Sequence, residues 1–207
     1  MKHLCKITVL FVFALLLAVT LSAVTSANSS NAQIFTAHDL INEINSGNLV
    51  LTNLSVSEVL DETGHHIRLT ATNSSKHVLA WTLAEEIAPN FDTVVISFRT
   101  NYIKDNSSTG ITQVDFSKDN TFNFQNRYFN LEQKLNTYKV KNGMISDKII
   151  FDGLIKRFTD SAVPTIKYIK INPYAGKALS LPDGVDLTSI WYDIEYIGFF
   201  KNKKTAN

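Results

Sequence analysis

An all-β fold is predicted for this chain: a jelly-roll β-sandwich with one short N-terminal helix behind a signal peptide. Three observations predict it. Short runs rich in β-branched and aromatic residues recur from residue 50 onward, separated by Asn, Ser, Asp and Gly. Several of these runs alternate apolar and polar residues, the pattern of a strand with one buried face. Helical spacing occurs once, near residue 40, and only briefly.

The first thirty-two residues read as a secretory signal peptide. Lys2 and Lys6 precede an apolar run over 7–24, and small residues follow that permit cleavage after Ala27 (Thr-Ser-Ala) or Ala32 (Ser-Asn-Ala). The run approaches the length of a membrane span, but the small-residue exit favours cleavage. The expected product is secreted or held at the cell surface, with no membrane segment once the signal is gone. Cys5, the one cysteine, leaves with it, which excludes disulfides, thiolate metal sites and cysteine nucleophiles.

Residues 33–201 suit one sandwich domain of ordinary size, followed by a solvated tail over 202–207. The chain has 20 basic and 19 acidic residues; losing Lys2 and Lys6 turns its slight positive charge slightly negative. The tail Lys201-Asn202-Lys203-Lys204 is the only basic cluster, so a nucleic-acid partner is not expected.

Thr36-Ala37-His38-Asp39 opens the helix, Leu40, Ile41 and Ile44 give it an apolar face, and Gly47 ends it. Strands are predicted over 50–60, 65–73, 78–83, 93–101, 112–116, 121–128, 137–141, 148–151, 166–172 and 190–200. Asp61-Glu62-Thr63-Gly64 supplies a hairpin turn and Asn142-Gly143 another. Ile67, Leu69 and Ala71 oppose Arg68, Thr70 and Thr72; Val94, Ile96 and Phe98 oppose Val95, Ser97 and Arg99. Phe122 and Phe124 oppose Asn123, Gln125 and Arg127 in the same way. Such strands carry a core face and a polar face that lines a groove.

The run Ser189-Ile190-Trp191-Tyr192-Asp193-Ile194-Glu195-Tyr196-Ile197-Gly198-Phe199-Phe200 breaks the alternation. Apolar groups at both parities imply a central strand covered on both sides, or one bulged near Gly198. Its aromatic residues are therefore read as mainly architectural.

Together with Val163-Pro164-Thr165-Ile166-Lys167-Tyr168-Ile169-Lys170-Ile171-Asn172-Pro173, this ending resembles the closing strands of galactose-binding-like jelly-roll domains. Phe91-Asp92-Thr93-Val94-Val95-Ile96-Ser97-Phe98-Arg99-Thr100-Asn101 is similar to their central strand. The nearest variety belongs to secreted or surface-layer-associated proteins of Gram-positive bacteria and includes carbohydrate-binding modules. The resemblance implies a non-catalytic domain that binds a cell-wall or environmental polysaccharide. A structural or adhesive surface protein that contacts other proteins is the alternative, and a small glycan-cleaving enzyme ranks below both.

Sugar recognition takes flat aromatic faces for the ring and planar polar groups for its hydroxyls. Arg99, Asn123, Gln125 and Arg127 on polar faces, with the rings of Trp81, Tyr102 and Tyr128, form the candidate ligand site. Asp193 and Glu195 admit two readings, a structural calcium site or a pair of outward carboxylates at a strand end. His65, His66 and His77 read as turn-edge histidines, since neighbours on a strand face opposite ways and do not readily share one ion. No catalytic motif is found.

Overall fold

Thr36 ends the first strand and starts the only α-helix among the described residues. The computed structural model describes residues 31–87, 91–102, 110–117, 129–134, 140–153, 166–174, 181 and 183–206. Contacts divide the chain into Met1–Asn31 and Ala32–Asn207, and the residues assigned to the signal peptide lie almost wholly outside the described set. Strand β1 (Ala32–Thr36) leads directly into α1 (Ala37–Asn45). At the junction the Asp39 amide donates to the Thr36 hydroxyl at 3.4 Å, and the Thr36 amide donates to the Asp39 carboxylate at 2.8 Å. This capping box satisfies two amides that a helix start leaves orphaned. Ala37 and Leu40 are buried, and Ile41 and Ile44 pack against the core.

The single strand expected over 50–60 is two strands, β2 (Leu49–Thr52) and β3 (Leu54–Asp61). Asn53 separates them with φ of 57°, a left-handed conformation that Asn tolerates better than most residues. That one residue sends β2 into one sheet and β3 into the other. Its Nδ2 donates to the Lys76 carbonyl at 2.8 Å, holding the turn in place.

The remaining strands are β4 (Gly64–Ala71), β5 (Val78–Ile87), β6 (Thr93–Thr100), β7 (Gly110–Ser117), β8 (Phe129–Lys134), β9 (Val140–Lys141), β10 (Met144–Phe151), β11 (Ile166–Pro173) and β12 (Trp191–Phe200). The larger sheet has the order β3-β4-β12-β6-β10-β9, with β1 also on β12; the smaller has the order β2-β5-β11-β7-β8. All pairings are antiparallel. The chain changes sheet at most connections after β2, which is the wrapping of a jelly roll. The predicted fold class is the one observed.

Inward residues of both sheets form the core, among them Ile67, Leu69, Ile96, Phe98, Val114, Phe116, Ile169, Ile171, Ile194 and Phe199. Each such side chain contributes roughly 1.5–3 kcal/mol by leaving water. Phe98 and Tyr192 stack with ring centres 5.2 Å apart.

The broken alternation of the last strand has a local cause. The register of β12 against β6 shifts between Ile194 and Tyr196, so Glu195 is a bulge residue and inward parity changes there. Before it, Tyr192 and Ile194 face the core; after it, Ile197 and Phe199 do. The bulge lies at Glu195, not at Gly198. It also falls where the other edge of β12 changes partner, from β4 at Trp191–Ile194 to β1 at Tyr196–Phe200. Tyr196 and Phe200 then join Val95 and Ala206 in a small apolar cluster on the outer face.

Other expectations need correction. The solvated tail is ordered as well: Asn202–Thr205 are exposed, Lys203–Thr205 form a 3-10 turn capped by Asn202, and only Ala206 of the described tail residues is buried. The strand expected over 121–128 lies outside the described residues, and β8 begins just after it. His66 and His77 are buried, not at an exposed turn edge.

Candidate binding face

The alternation Ile67, Arg68, Leu69 on β4 and Ile96, Ser97, Phe98, Arg99 on β6 sends arginines to the outer face of the larger sheet. Register then aligns Ser57, Arg68, Asp193, Arg99 and Ser146 in one row across β3, β4, β12, β6 and β10. Asp193 sits in the middle, fully buried. Arg68 grips it with two bonds, Nε to Oδ1 at 2.8 Å and Nη2 to Oδ2 at 2.9 Å, while Arg99 Nε donates to Oδ2 at 2.8 Å.

The β3–β4 turn closes over the other end of Arg99. Nη2 donates to Asp61 at 2.7 Å and Nη1 to the Thr63 hydroxyl at 2.6 Å. Asp61 in turn accepts from the Thr63 amide at 2.9 Å. These bonds, Arg99 first, hold the Asp61 carboxyl well below the usual carboxylate range. Burial opposes the Arg99 charge, but its bonds to Asp61 and Asp193 outweigh that and raise its pKa. Arg68 is raised by its bond to Asp193. Arg68, the more exposed of the two arginines, places its guanidinium 4.5 Å from the centre of the half-buried Trp191 ring.

Beside this cluster lies a groove of about 110 Å³, lined by Thr63, His66, Ser97, Phe98, Arg99, Met144, Ser146 and Glu195. The bulge delivers Glu195 to its edge, where Oε2 accepts from the Ser97 hydroxyl at 2.7 Å. His66 is 4% exposed, and its Nδ1 has no hydrogen-bond partner.

The sequence candidates are distributed unevenly over this geometry. Arg99 belongs to the face, but as a buried ion-paired residue. Trp81 is not a sugar platform: it is 2% exposed, donates from Nε1 to Glu43 at 3.0 Å, and meets Phe35 edge-on at 4.6 Å. The reason is parity, since Leu79, Trp81 and Leu83 form the inward face of β5. Tyr102 is also buried, edge-on to Tyr174 at 5.1 Å. Asn123, Gln125, Arg127 and Tyr128 lie outside the described residues.

Asp193 and Glu195 are not arranged as a calcium site. Both oxygens of Asp193 are taken by guanidinium groups, and Glu195 bonds to Ser97. Among the described residues no group of three or more His, Cys, Asp or Glu is placed to hold a metal. The residue that sequence reasoning missed is Trp191; its shared parity with Asp193 was the available signal.

No protein-family model matches the chain, and no curated protein matches it in sequence. Solved structures show a distant likeness. A low affinity xylan binding module, CBM86, from the gut symbiont Roseburia intestinalis is 13% identical over 85% of this chain and 98% of that one, with a TM-score of 0.40. The family 11 carbohydrate-binding module of the cellulosomal cellulase Lic26A-Cel5E of Clostridium thermocellum is 8% identical over 74% and 87%, with a TM-score of 0.43. A family 35 module from the same organism is 12% identical over 82% and 97%, with a TM-score of 0.38. Among the described residues no helix is long and apolar enough to cross a membrane.

Proposed function

We propose that the protein is a secreted, non-catalytic carbohydrate-binding module that takes a cell-wall or environmental polysaccharide on the outer face of its larger sheet. The observation that carries this reading is the Arg68–Trp191 cation–π contact beside the polar groove. A pyranose offers an apolar C–H face and a ring of hydroxyls; an indole and a set of planar or hydroxyl groups are the matching surfaces. The Asp193 network holds these groups rigidly, so ordering them costs little on binding.

The charge arrangement supports binding over cleavage. Hydrolysis of a glycosidic bond takes two carboxylates of different acidity facing one another. Among the described residues at this groove, Asp61 and Asp193 are each engaged by arginine, which leaves Glu195. Among the described residues, the large exposed apolar side chains, Ile34, Val50, Leu60, Val140 and Val185, are spread over β1, β2, β3, β9 and the segment before β12.

The test is retention of the purified protein on insoluble polysaccharides and purified cell walls. Selective retention, competed by free oligosaccharide and weakened about ten-fold or more by Trp191→Ala, is the expected result. A folded sample retained by none of them would overturn the reading.

A further inference from the structure

We propose that the groove beside Arg99 is a subsite for a primary ammonium group, so that the preferred glycan is one whose sugar units carry free amines. This rests on the carbohydrate reading above and narrows it. Among the described residues, the charged groups that line the groove or belong to the ion-pair network of its Arg99 are Arg99, Arg68, Asp193, Asp61 and Glu195. The two arginines are matched by Asp193 and Asp61, and Glu195 remains. The ion pairs among the described residues do not include it. Lys148, opposite Ser97 in the ladder, holds its Nζ 5.8 Å from the Tyr196 ring centre.

Glu195 thus stands at the groove as an exposed carboxylate outside those ion pairs, among oxygen acceptors. Glu195 uses Oε2 for Ser97, leaving Oε1, while Thr63 and Ser146 add hydroxyl oxygens. An ammonium has three donors and no acceptor, which suits this set; a uronic acid would bring a second carboxylate against Glu195. His66 provides an independent sign. It lines the same groove, and its Nδ1, shielded from solvent in the folded chain, has no hydrogen-bond partner.

The experiment is calorimetric titration with three oligosaccharides of equal length, one neutral, one bearing primary amines and one bearing carboxylates, at low and high salt. The amine-bearing oligomer is expected to bind about ten-fold more tightly than the neutral one. Salt should weaken that preference, and Glu195→Gln should remove it, so that the amine-bearing and neutral oligomers bind alike. Equal affinity for the amine-bearing and neutral oligomers, or a preference that survives in Glu195→Gln, overturns the inference and leaves the carbohydrate reading intact. The second probe is 2-aminoethanol, followed through the backbone amide resonances of Ser97 and Glu195. Perturbation in the wild type but not in Glu195→Gln, with no oligosaccharide bound, supports the ammonium subsite and sinks the carbohydrate reading. No response to either probe sinks both.

Discussion

Arg99 and Asp193 lie opposite each other on neighbouring strands, and both are buried, with Arg99 Nε donating to Asp193 Oδ2 at 2.8 Å. Asp193 is also the anion for Arg68, so one carboxylate neutralises the middle of a face that presents two guanidinium groups. Removing one partner of a buried pair costs more than the pair itself is worth, because the remaining charge stays desolvated. Asp193→Asn is expected to lower stability by ~3–5 kcal/mol, read from denaturant midpoints at unchanged slope. A loss below about 1 kcal/mol would show that the arginines find other partners.

Acid should loosen the β3–β4 turn. The folded-state pKa of Asp61 is depressed below its ordinary value of 3.8. Its contribution to stability is therefore fully present above that value and is lost as pH falls through the folded pKa. Asp61→Asn is expected to flatten the decline of melting temperature below about pH 4. An unchanged acid slope in the variant would count against the Arg99–Asp61 contact.

Gly198 sits against the ring of Phe200, so that a Cβ built there would lie 2.5 Å from Phe200 Cε2 and the ring would have to shift. Gly198→Ala should destabilise the fold by ~1–3 kcal/mol through overpacking. Phe200→Leu made in the same chain should recover much of that loss. A double variant no more stable than Gly198→Ala alone would refute the steric explanation.

The two tryptophans should report different things. Trp81 is enclosed by α1 and the core, and Trp191 is half-buried on the outer face. In Trp81→Phe, which leaves Trp191 as the sole tryptophan, ligand should change the emission excited selectively from it. In Trp191→Phe, emission should be blue-shifted and indifferent to ligand. The opposite pattern would move the site away from this face.

Removing divalent metal should leave ligand retention and melting temperature unchanged, since Arg68 and Arg99 hold both Asp193 oxygens. A fall in either on adding chelator would point to a cation bound elsewhere.

Much of the architecture was legible because it rests on local patterning. The capping box at Thr36 and Asp39, the turn at Asn142-Gly143, and the alternation of Ile67, Leu69 and Ala71 each depend on nearest neighbours and came out as expected. The break at Asn53 was missed because φ at one residue decides it, and the flanking apolar pattern continues across it. Strand β1 was missed because its five residues run out of a segment assigned to the leader and are held by pairing with β12.

The sequence by itself determined the class of fold, the inward and outward parity of the regular strands, and the presence of acids and aromatics in the final strand. Only the tertiary structure decided which of them make a face. Trp81 and Trp191 look alike as residues, yet Trp81 faces inward from its strand and Trp191 lies on the outer face beside Arg68. Asp193 and Glu195 share a parity in the sequence, yet register buries one between two arginines and a bulge leaves the other exposed at a groove. Strand register is set by pairing between segments far apart in the chain, and local pattern carries no record of which residue will lie opposite which.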